Sequence, residues 1–242
     1  MRPTMRHGCE QLPNIVTLGS LLCGVTAIML AGQRHFLIAP ALICLAGVCD
    51  LLDGALARQF ACHSRAGEEL DSLADVIAFG VAPGLLVYER FFQPWPVLGW
   101  VVAGGYVLCG AWRLARFATT PQGLAFQGLP ITMAGLSVAA LLFYPEFWSP
   151  RLVALLTLAL AALMVSRLRF PKLAVLLALL PRPARLLALA IMLTALLFSF
   201  STVLLVLGLS YFVIAALENL GAWDAVADGP VGDAVARLRE RF

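Results

Sequence analysis

Four aspartates lie within a short stretch of a chain that is otherwise mostly apolar: Asp50, Asp53, Asp71 and Asp75. A carboxylate in the interior of a bilayer costs about 3 kcal/mol or more unless it faces water, a partner or a metal. Such acids are therefore candidate functional residues. The same stretch, "DLLDGALARQFACHSRAGEELDSLAD", also contains Glu68 and Glu69 beside a basic connection, where solvation explains them more simply.

The first two aspartates are spaced for one face of a helix. With 3.6 residues per turn, Asp50 and Asp53 project within about 60° of each other. Gly54 and Ala57 fall on the same side and leave space beside the carboxylates. This face can therefore admit a ligand that approaches the backbone closely.

The other two aspartates lie at i and i+4 on the next predicted helix. Gly67, Asp71 and Asp75 fall within about 80° on a helix. The connection between the two segments is short and basic, with Arg58 and Arg65 at its ends. Two helices joined in this way can face each other across a crevice, so the sequence predicts that the carboxylates converge.

Converging carboxylates repel each other where the dielectric constant is low, so they require cations. No lysine is near them in the sequence, and oxygen ligands suit Mg²⁺ or Mn²⁺ rather than zinc. These ions commonly share their coordination with substrate phosphates. We therefore predict divalent metal ions and a phosphate-bearing ligand. The simpler alternative is that the acids pair with Arg58 and Arg65 or lie in a solvated loop.

Composition places these residues in a membrane protein. The chain has 242 residues, of which 61% are hydrophobic and 13% charged, and its mean hydropathy is +0.90. A spanning helix needs about 20 residues to cross a hydrocarbon core of roughly 30 Å. We predict an all-α integral membrane protein, a polytopic bundle of about eight transmembrane helices, over residues 13–32, 36–58, 67–90, 97–118, 129–146, 151–166, 183–200 and 202–220.

The distribution of basic residues predicts the orientation of the bundle. With the N-terminus inside and eight crossings, one side receives all but three of the 17 Lys and Arg residues. The exceptions are Arg34, Arg90 and Arg151. Because cytoplasmic loops carry the excess of Lys and Arg, we expect both termini and the acidic stretch on the cytoplasmic side. The expected location is the cytoplasmic membrane of a bacterium.

We predict a single membrane domain over residues 1–242, with transmembrane helices through residue 220 and an active-site stretch at 50–75. Segment 170–181 is short and bracketed by basic residues, which favours an interfacial helix. The cytoplasmic tail, 221–242, is either a short amphipathic helix or a solvated extension. The six cysteines show no C-x-x-C spacing, which favours small core residues over disulfides or zinc ligands.

The acidic stretch fits the pattern D-x2-D-G-x2-A-R-x8-G-x3-D-x3-D without a gap. It thus resembles the signature of the CDP-alcohol phosphatidyltransferase family, carried here by Asp50, Asp53, Gly54, Ala57, Arg58, Gly67, Asp71 and Asp75. Further segments resemble one branch, the membrane-embedded phosphatidylserine synthases. They are "LPNIVTLGSLLCG" at 12–24, "LDSLADVIAFGVAPG" at 70–84, "RLARF" at 113–117, "GLP" at 128–130 and "SRLRFPK" at 166–172.

The resemblance implies a fold, a reaction and partners. The fold is a six-helix core, here followed by two further helices, which is usually homodimeric and has a polar cavity open to the cytoplasm. The reaction transfers the phosphatidyl group of CDP-diacylglycerol to L-serine, releasing CMP and using two divalent ions, Mg²⁺ or Mn²⁺. The expected partners are these two substrates, membrane lipids and a second copy of the chain, with no nucleic acid.

The resemblance also assigns roles to individual residues. It implies that the metal ligands are Asp50, Asp53, Asp71 and, in part, Asp75. Asp75 is in addition the candidate general base for the serine hydroxyl. CDP-diacylglycerol would contact Gly54, Ala57, Arg58 and Gly67. Arg113 and Arg116 are candidates for binding the serine carboxylate, although two arginines at a helix end are equally explained as membrane anchors.

Three other functions are compatible with parts of the pattern. The nearest is a transferase of the same family that uses glycerol 3-phosphate or an inositol phosphate, although such an acceptor calls for more cations than Arg113 and Arg116. Membrane prenyltransferases also pair aspartates with Mg²⁺ and diphosphate, but the intervening G-x2-A-R disfavours them. An ion-coupled transporter is the most distant alternative, since its acids typically lie at mid-membrane in matched halves.

Overall fold

The computed structural model describes residues 3–60, 64–119 and 125–171, together with residues 212, 213 and 216. Within the three long ranges the chain forms six helices. They are α1 (Pro3–Gly32), α2 (Ile38–Phe60), α3 (Arg65–Phe92), α4 (Pro96–Thr119), α5 (Ile131–Leu142) and α6 (Pro150–Val165). A 3₁₀ turn at Pro145–Phe147 precedes α6, and strands β1 (Ala125–Gln127) and β2 (Arg169–Pro171) form an antiparallel pair.

Four of the described helices, α1 to α4, are long and apolar enough to cross a membrane. The predicted helical membrane fold is therefore confirmed for this part of the chain, which is an integral membrane protein. Helices α5 and α6 have 12 and 16 residues. At 1.5 Å per residue they are about 18 and 24 Å long, which is less than the roughly 30 Å hydrocarbon core. Helix α5 is thus shorter than the predicted span 129–146, whereas α6 has the length of the predicted span 151–166 and begins one residue earlier.

The C-terminal predictions fall largely outside the described residues. This holds for the helices at 183–200 and 202–220 and for the tail at 221–242. The interfacial helix predicted for 170–181 is wrong at its first two residues, because Phe170 and Pro171 belong to β2 and pair with Phe126 and Ala125 of β1. The rest of that segment lies outside the described residues.

Helix α3 lies at the centre of the described bundle and contacts α1, α2, α4 and α5. Glycines on its neighbours allow a close approach. A Cβ atom at Gly24 of α1 would lie 2.7 Å from the Cα atom of Ala78, and one at Gly135 of α5 would lie 2.8 Å from the Cα atom of Phe79. Small residues at helix contacts are typical of membrane bundles. The middle of α3 is thereby fixed against helices on two sides.

Helix α3 is not a uniform α-helix. Its segments Val76–Val81 and Tyr88–Phe92 are π-helical, and the first begins directly after Asp75. Pro83 lacks an N–H group and cannot donate the usual i to i−4 bond to the carbonyl of Phe79. The buried Tyr106 of α4 instead donates its hydroxyl to that carbonyl at 2.9 Å. A side chain thus satisfies a backbone group where the helix changes its geometry.

Polar contacts join the far end of α3 to neighbouring loops. Arg34, after α1, donates to the side-chain oxygen of Gln93 at 3.1 Å, and Gln93 in turn donates to Glu89. Arg90 lies 3.7 Å from Glu146 in the 3₁₀ turn. These are mostly exposed contacts, each of which contributes little by itself. They lie at the end of α3 opposite to Asp71 and Asp75.

Candidate active site

Carboxylates from two consecutive helices meet at one end of the bundle. One carboxylate oxygen from each of Asp50, Asp53 and Asp71 lies within 4.8 Å of the other two. Asp50 and Asp53 are on α2, and Asp71 is on α3. Asp53 is buried, whereas Asp50 and Asp71 are half-buried. We refer to these three residues as the aspartate cluster.

The aspartate cluster has the chemistry and spacing of a cation site. In an octahedral Mg²⁺ site, oxygens on opposite sides of the ion are about 4.2 Å apart. The three oxygens are therefore close to the separation that one shared ion requires. Without a cation, each pair of charges repels by on the order of 3 kcal/mol at an effective dielectric constant of about 20. The donors are all oxygens and fit a hard divalent cation.

Asp75 lies one turn beyond Asp71 on α3 and is half-buried. It is close enough to the aspartate cluster for the charges of Asp50, Asp71 and Asp53 to act on it, and the positive charge of Arg113 acts on it as well. Arg113 of α4 is buried, with its guanidinium carbon 5.4 Å from the ring centroid of Phe117. The site therefore combines an acidic wall with a buried cation beside it.

Arg116, the other arginine in "RLARF", contacts backbone carbonyls. Its guanidinium donates to the carbonyls of Val165 and Ser166, each at 3.1 Å, and to that of Gln127 at 3.2 Å. The carbonyls in the last turn of a helix have no partners within the helix and carry partial negative charge. Arg116 therefore joins α4 to the C-terminal end of α6.

The "GLP" turn at 128–130 packs against the same end of α6. Gly128 has φ +77°, and a Cβ atom there would lie 2.2 Å from the carbonyl oxygen of Met164. Its N–H donates to the carbonyl of Leu168 at 2.9 Å, and that of Leu129 donates to the carbonyl of Leu163 at 3.1 Å. Only glycine fits here, so this motif supports the junction that Arg116 also stabilises.

The start of α3 is fitted closely against α1. Ser64 is the N-cap residue, and its hydroxyl accepts a hydrogen bond from the N–H of Gly67 at 3.1 Å. A Cβ atom at Gly67 would lie 2.9 Å from the side-chain oxygen of Asn14.

Gly54 and Ala57 are half-buried on α2. Arg58 belongs to the last turn of that helix.

The structure adds two residues of α1 that our sequence reasoning did not single out. Thr17 is buried and donates its hydroxyl to Oδ2 of Asp53 at 2.7 Å. Asn14 lies against Gly67. Both occur in "LPNIVTLGSLLCG" at a spacing of three residues, which places them on one helix face. In the sequence, the signal that could have identified them was this pair of polar residues on one face of an otherwise apolar helix.

Comparisons with known proteins agree with the signature. The profile of the CDP-alcohol phosphatidyltransferase family matches residues 10–226. A CDP-diacylglycerol–serine O-phosphatidyltransferase from Bacillus subtilis (strain 168) is 36% identical over 161 residues, which cover 66% of this chain and 89% of that protein.

Two further relatives have related names. One from Mycobacterium tuberculosis (strain ATCC 25618 / H37Rv), with the same name as the Bacillus protein, is 37% identical over 163 residues, or 61% of this chain and 57% of its own length. An archaetidylserine synthase from Methanothermobacter thermautotrophicus is 33% identical over 165 residues, or 66% of this chain and 70% of its own length. The family profile spans most of this chain, including the aspartate cluster and the helices around it. This integral membrane protein therefore belongs to the CDP-alcohol phosphatidyltransferase family and is a transferase.

Proposed function

We propose that the chain transfers the phosphatidyl group of CDP-diacylglycerol to the hydroxyl of L-serine, giving phosphatidylserine and CMP. The aspartate cluster carries this proposal, because a phosphate-bearing substrate and its cations explain three carboxylates that meet at one end of a membrane bundle. The names of the relatives support serine as the acceptor. The diacylglycerol part can remain in lipid while the cytidine diphosphate reaches the crevice.

In the proposed reaction one phosphorus–oxygen bond forms and another breaks. The serine hydroxyl oxygen attacks the phosphorus that bears the diacylglycerol group. The bond from this phosphorus to the bridging oxygen breaks, and CMP leaves with that oxygen and its electron pair. The proton of the serine hydroxyl passes to Asp75, because an alcohol is a weak nucleophile until a base accepts its proton.

We assign Asp50, Asp53 and Asp71 as ligands of two divalent ions, Mg²⁺ or Mn²⁺. Asp75, at the edge of the aspartate cluster, is a further ligand. When bound, such ions neutralise the diphosphate and the charge that develops on the departing CMP. The chain itself supplies the anionic wall and the space for the substrate. Gly54 and Ala57 are proposed to keep the backbone of α2 accessible to the substrate. Gly67, which fits closely against Asn14, is also proposed to contact CDP-diacylglycerol. Arg58 is proposed to bind a phosphate, for which a planar guanidinium is suited.

Serine requires a cation for its carboxylate while its hydroxyl points at Asp75. Of the two arginines predicted for this task, Arg113 is buried and its charge acts on Asp75. Arg116 donates to carbonyls at the end of α6. We therefore propose Arg113 as the serine-binding arginine. The homodimer implied by the family stays a prediction.

The acceptor is tested by following CMP release from CDP-diacylglycerol. The purified protein is incubated with a divalent ion and, separately, with serine, glycerol 3-phosphate, inositol or an inositol phosphate. We expect release with serine alone. Release with glycerol 3-phosphate or an inositol compound, and none with serine, would overturn the acceptor while leaving the aspartate mechanism in place. The absence of release with any acceptor would refute the proposed function.

Replacing Arg113 by Ala should weaken serine binding more than CDP-diacylglycerol binding. A lost hydrogen bond between charged groups costs about 1.5 to 3 kcal/mol, which corresponds to a rise of roughly tenfold to a hundredfold in the apparent KM for serine. Initial rates at varied concentrations of each substrate measure this change.

Arg116→Ala is the matched control for Arg113→Ala. It removes a cation from the same helix but disrupts the contacts with the carbonyls of Val165 and Ser166. We expect it to lower the thermal stability and to change the KM for serine little. A larger rise in the KM for serine from Arg116→Ala than from Arg113→Ala would reverse our assignment.

We also propose that the aspartate cluster faces the cytoplasm. Phe147, in the 3₁₀ turn, is 78% exposed and lies on the predicted outer side, whereas Leu168, after α6, is 41% exposed on the predicted inner side. In a variant without the native cysteines, Phe147→Cys should react with an impermeant thiol reagent applied to intact cells. Leu168→Cys should react only after permeabilisation. The reverse pattern would invert the topology.

A further inference from the structure

Thr17 approaches the aspartate cluster from α1. Its side chain is 4% exposed, and its hydroxyl donates to Oδ2 of Asp53, itself 5% exposed, at 2.7 Å. Hydrogen bonds from a hydroxyl to a carboxylate are short and about twice as strong as bonds between neutral groups. Asp53 is thus bonded to a residue of a third helix, in addition to lying beside Asp50 and Asp71.

The Thr17 hydroxyl has two acceptors within reach. Its oxygen lies 3.1 Å from the carbonyl oxygen of Pro13, one turn earlier on α1. A hydroxyl has one proton to donate, and the charged acceptor at the shorter distance is the stronger one. A β-branched side chain in a helix has few χ1 rotamers. The bond to Asp53 and the restricted χ1 rotamer therefore fix the position of the hydroxyl before any ligand arrives.

We propose that Thr17 is a positioning residue for the metal site, which rests on the proposed function above. A carboxylate offers about four lone-pair directions on its two oxygens. The bond from Thr17 occupies one of them and fixes the rotation of the group, so that the carboxylate of Asp53 is oriented for a cation shared with Asp50 and Asp71. Partners of this kind tune the affinity of a site without touching the metal.

The same helix contains a matched control. Ser20 is also buried and lies three residues beyond Thr17. Its hydroxyl crosses the same interface between α1 and α2, but it donates to the backbone carbonyl of Ala46 at 3.2 Å. Removing this hydroxyl perturbs the helix pair without removing a hydrogen bond to a carboxylate. Ser20→Ala therefore separates a loss of packing from a loss of positioning.

The test measures metal binding without substrates. Wild type, Thr17→Val, Thr17→Ser and Ser20→Ala are titrated with Mn²⁺, and the free ion is followed by electron paramagnetic resonance. We expect Thr17→Val to weaken Mn²⁺ binding by about tenfold or more. Thr17→Ser, which keeps the hydroxyl, and Ser20→Ala should bind like wild type. Thermal unfolding in EDTA verifies that each variant is folded, and Thr17→Ala replaces Thr17→Val if the latter does not fold.

Three results would overturn the positioning role: unchanged Mn²⁺ binding in folded Thr17→Val, an equal loss in Thr17→Ser, or an equal loss in Ser20→Ala. These results are distinguishable from failure of the proposed function. If wild type binds no Mn²⁺, the proposed metal site itself is wrong and the role of Thr17 fails with it. If wild type binds Mn²⁺ and releases CMP with serine while Thr17→Val binds equally well, only the inference about Thr17 fails.

Discussion

Asp50→Asn and Asp71→Asn are each expected to lower the rate of CMP release by at least about a thousandfold. A metal ion stabilises transition-state charge by several kcal/mol, and each 1.36 kcal/mol corresponds to a factor of ten in rate. An amide has nearly the shape of a carboxylate but lacks its charge, so it cannot hold the ion as tightly. Steady-state assays of the purified variants measure the loss.

Thermal unfolding distinguishes variants that have lost metal binding from variants that have lost their folded structure. In EDTA, each Asn variant should be at least as stable as wild type, because one of three mutually repelling charges has been removed. Wild type should gain stability on addition of Mg²⁺ or Mn²⁺, by about 2.7 kcal/mol at a hundred times the dissociation constant. The variants should gain much less.

Glu69→Gln is the control for the aspartate variants, because Glu69 is an exposed acid on the same helix as Asp71. It should retain both activity and stabilisation by metal. EDTA should abolish the activity of the wild-type enzyme, and addition of Mg²⁺ or Mn²⁺ should restore that activity. Near-normal activity in purified Asp50→Asn or Asp71→Asn would refute the metal assignment.

Asp75→Asn should lower kcat by roughly a hundredfold to ten-thousandfold, the range for loss of a general acid or base. Asp75 lies beside the aspartate cluster and near Arg113, where it can accept the proton of a serine whose carboxylate is bound. Single-turnover measurements at saturating serine report the chemical step.

Mn²⁺ binding distinguishes the two roles assigned to Asp75. Asp75 is a ligand only at the edge of the aspartate cluster, so Asp75→Asn should weaken Mn²⁺ binding much less than Asp50→Asn does. An equal loss of Mn²⁺ binding in both variants would make Asp75 principally a ligand. A kcat close to that of wild type would exclude Asp75 as the base.

The parts of the fold that the sequence predicted well are those that depend on the local pattern. Four predicted segments, 13–32, 36–58, 67–90 and 97–118, match the long apolar helices α1, α2, α3 and α4. The convergence of Asp50 and Asp53 with Asp71 also follows from helical spacing and a short connection. These features depend on residues that are close in sequence, where the period of a helix restricts the outcome.

Contacts between residues that are far apart in sequence could not be predicted from local patterns. The bond from Thr17 to Asp53 joins residues 36 positions apart, and the pairing of β1 with β2 joins segments on either side of α5 and α6. Arg116 shows the same limit. An arginine at a helix end has the same local sequence whether it binds a substrate or backbone carbonyls, and only the position of α6 distinguishes the two.

The π-helical segment Val76–Val81 also has an evolutionary consequence. A π turn is equivalent to one residue inserted into an α-helix, which shifts the phase of everything beyond it by roughly 100°. The part of α3 before it brings Asp71 to the acids of α2, while Phe79 within it packs against α5 and accepts a hydrogen bond from α4. A lineage that deleted one residue here would gain a regular helix, but it would lose either the alignment of its aspartates or the packing of its core.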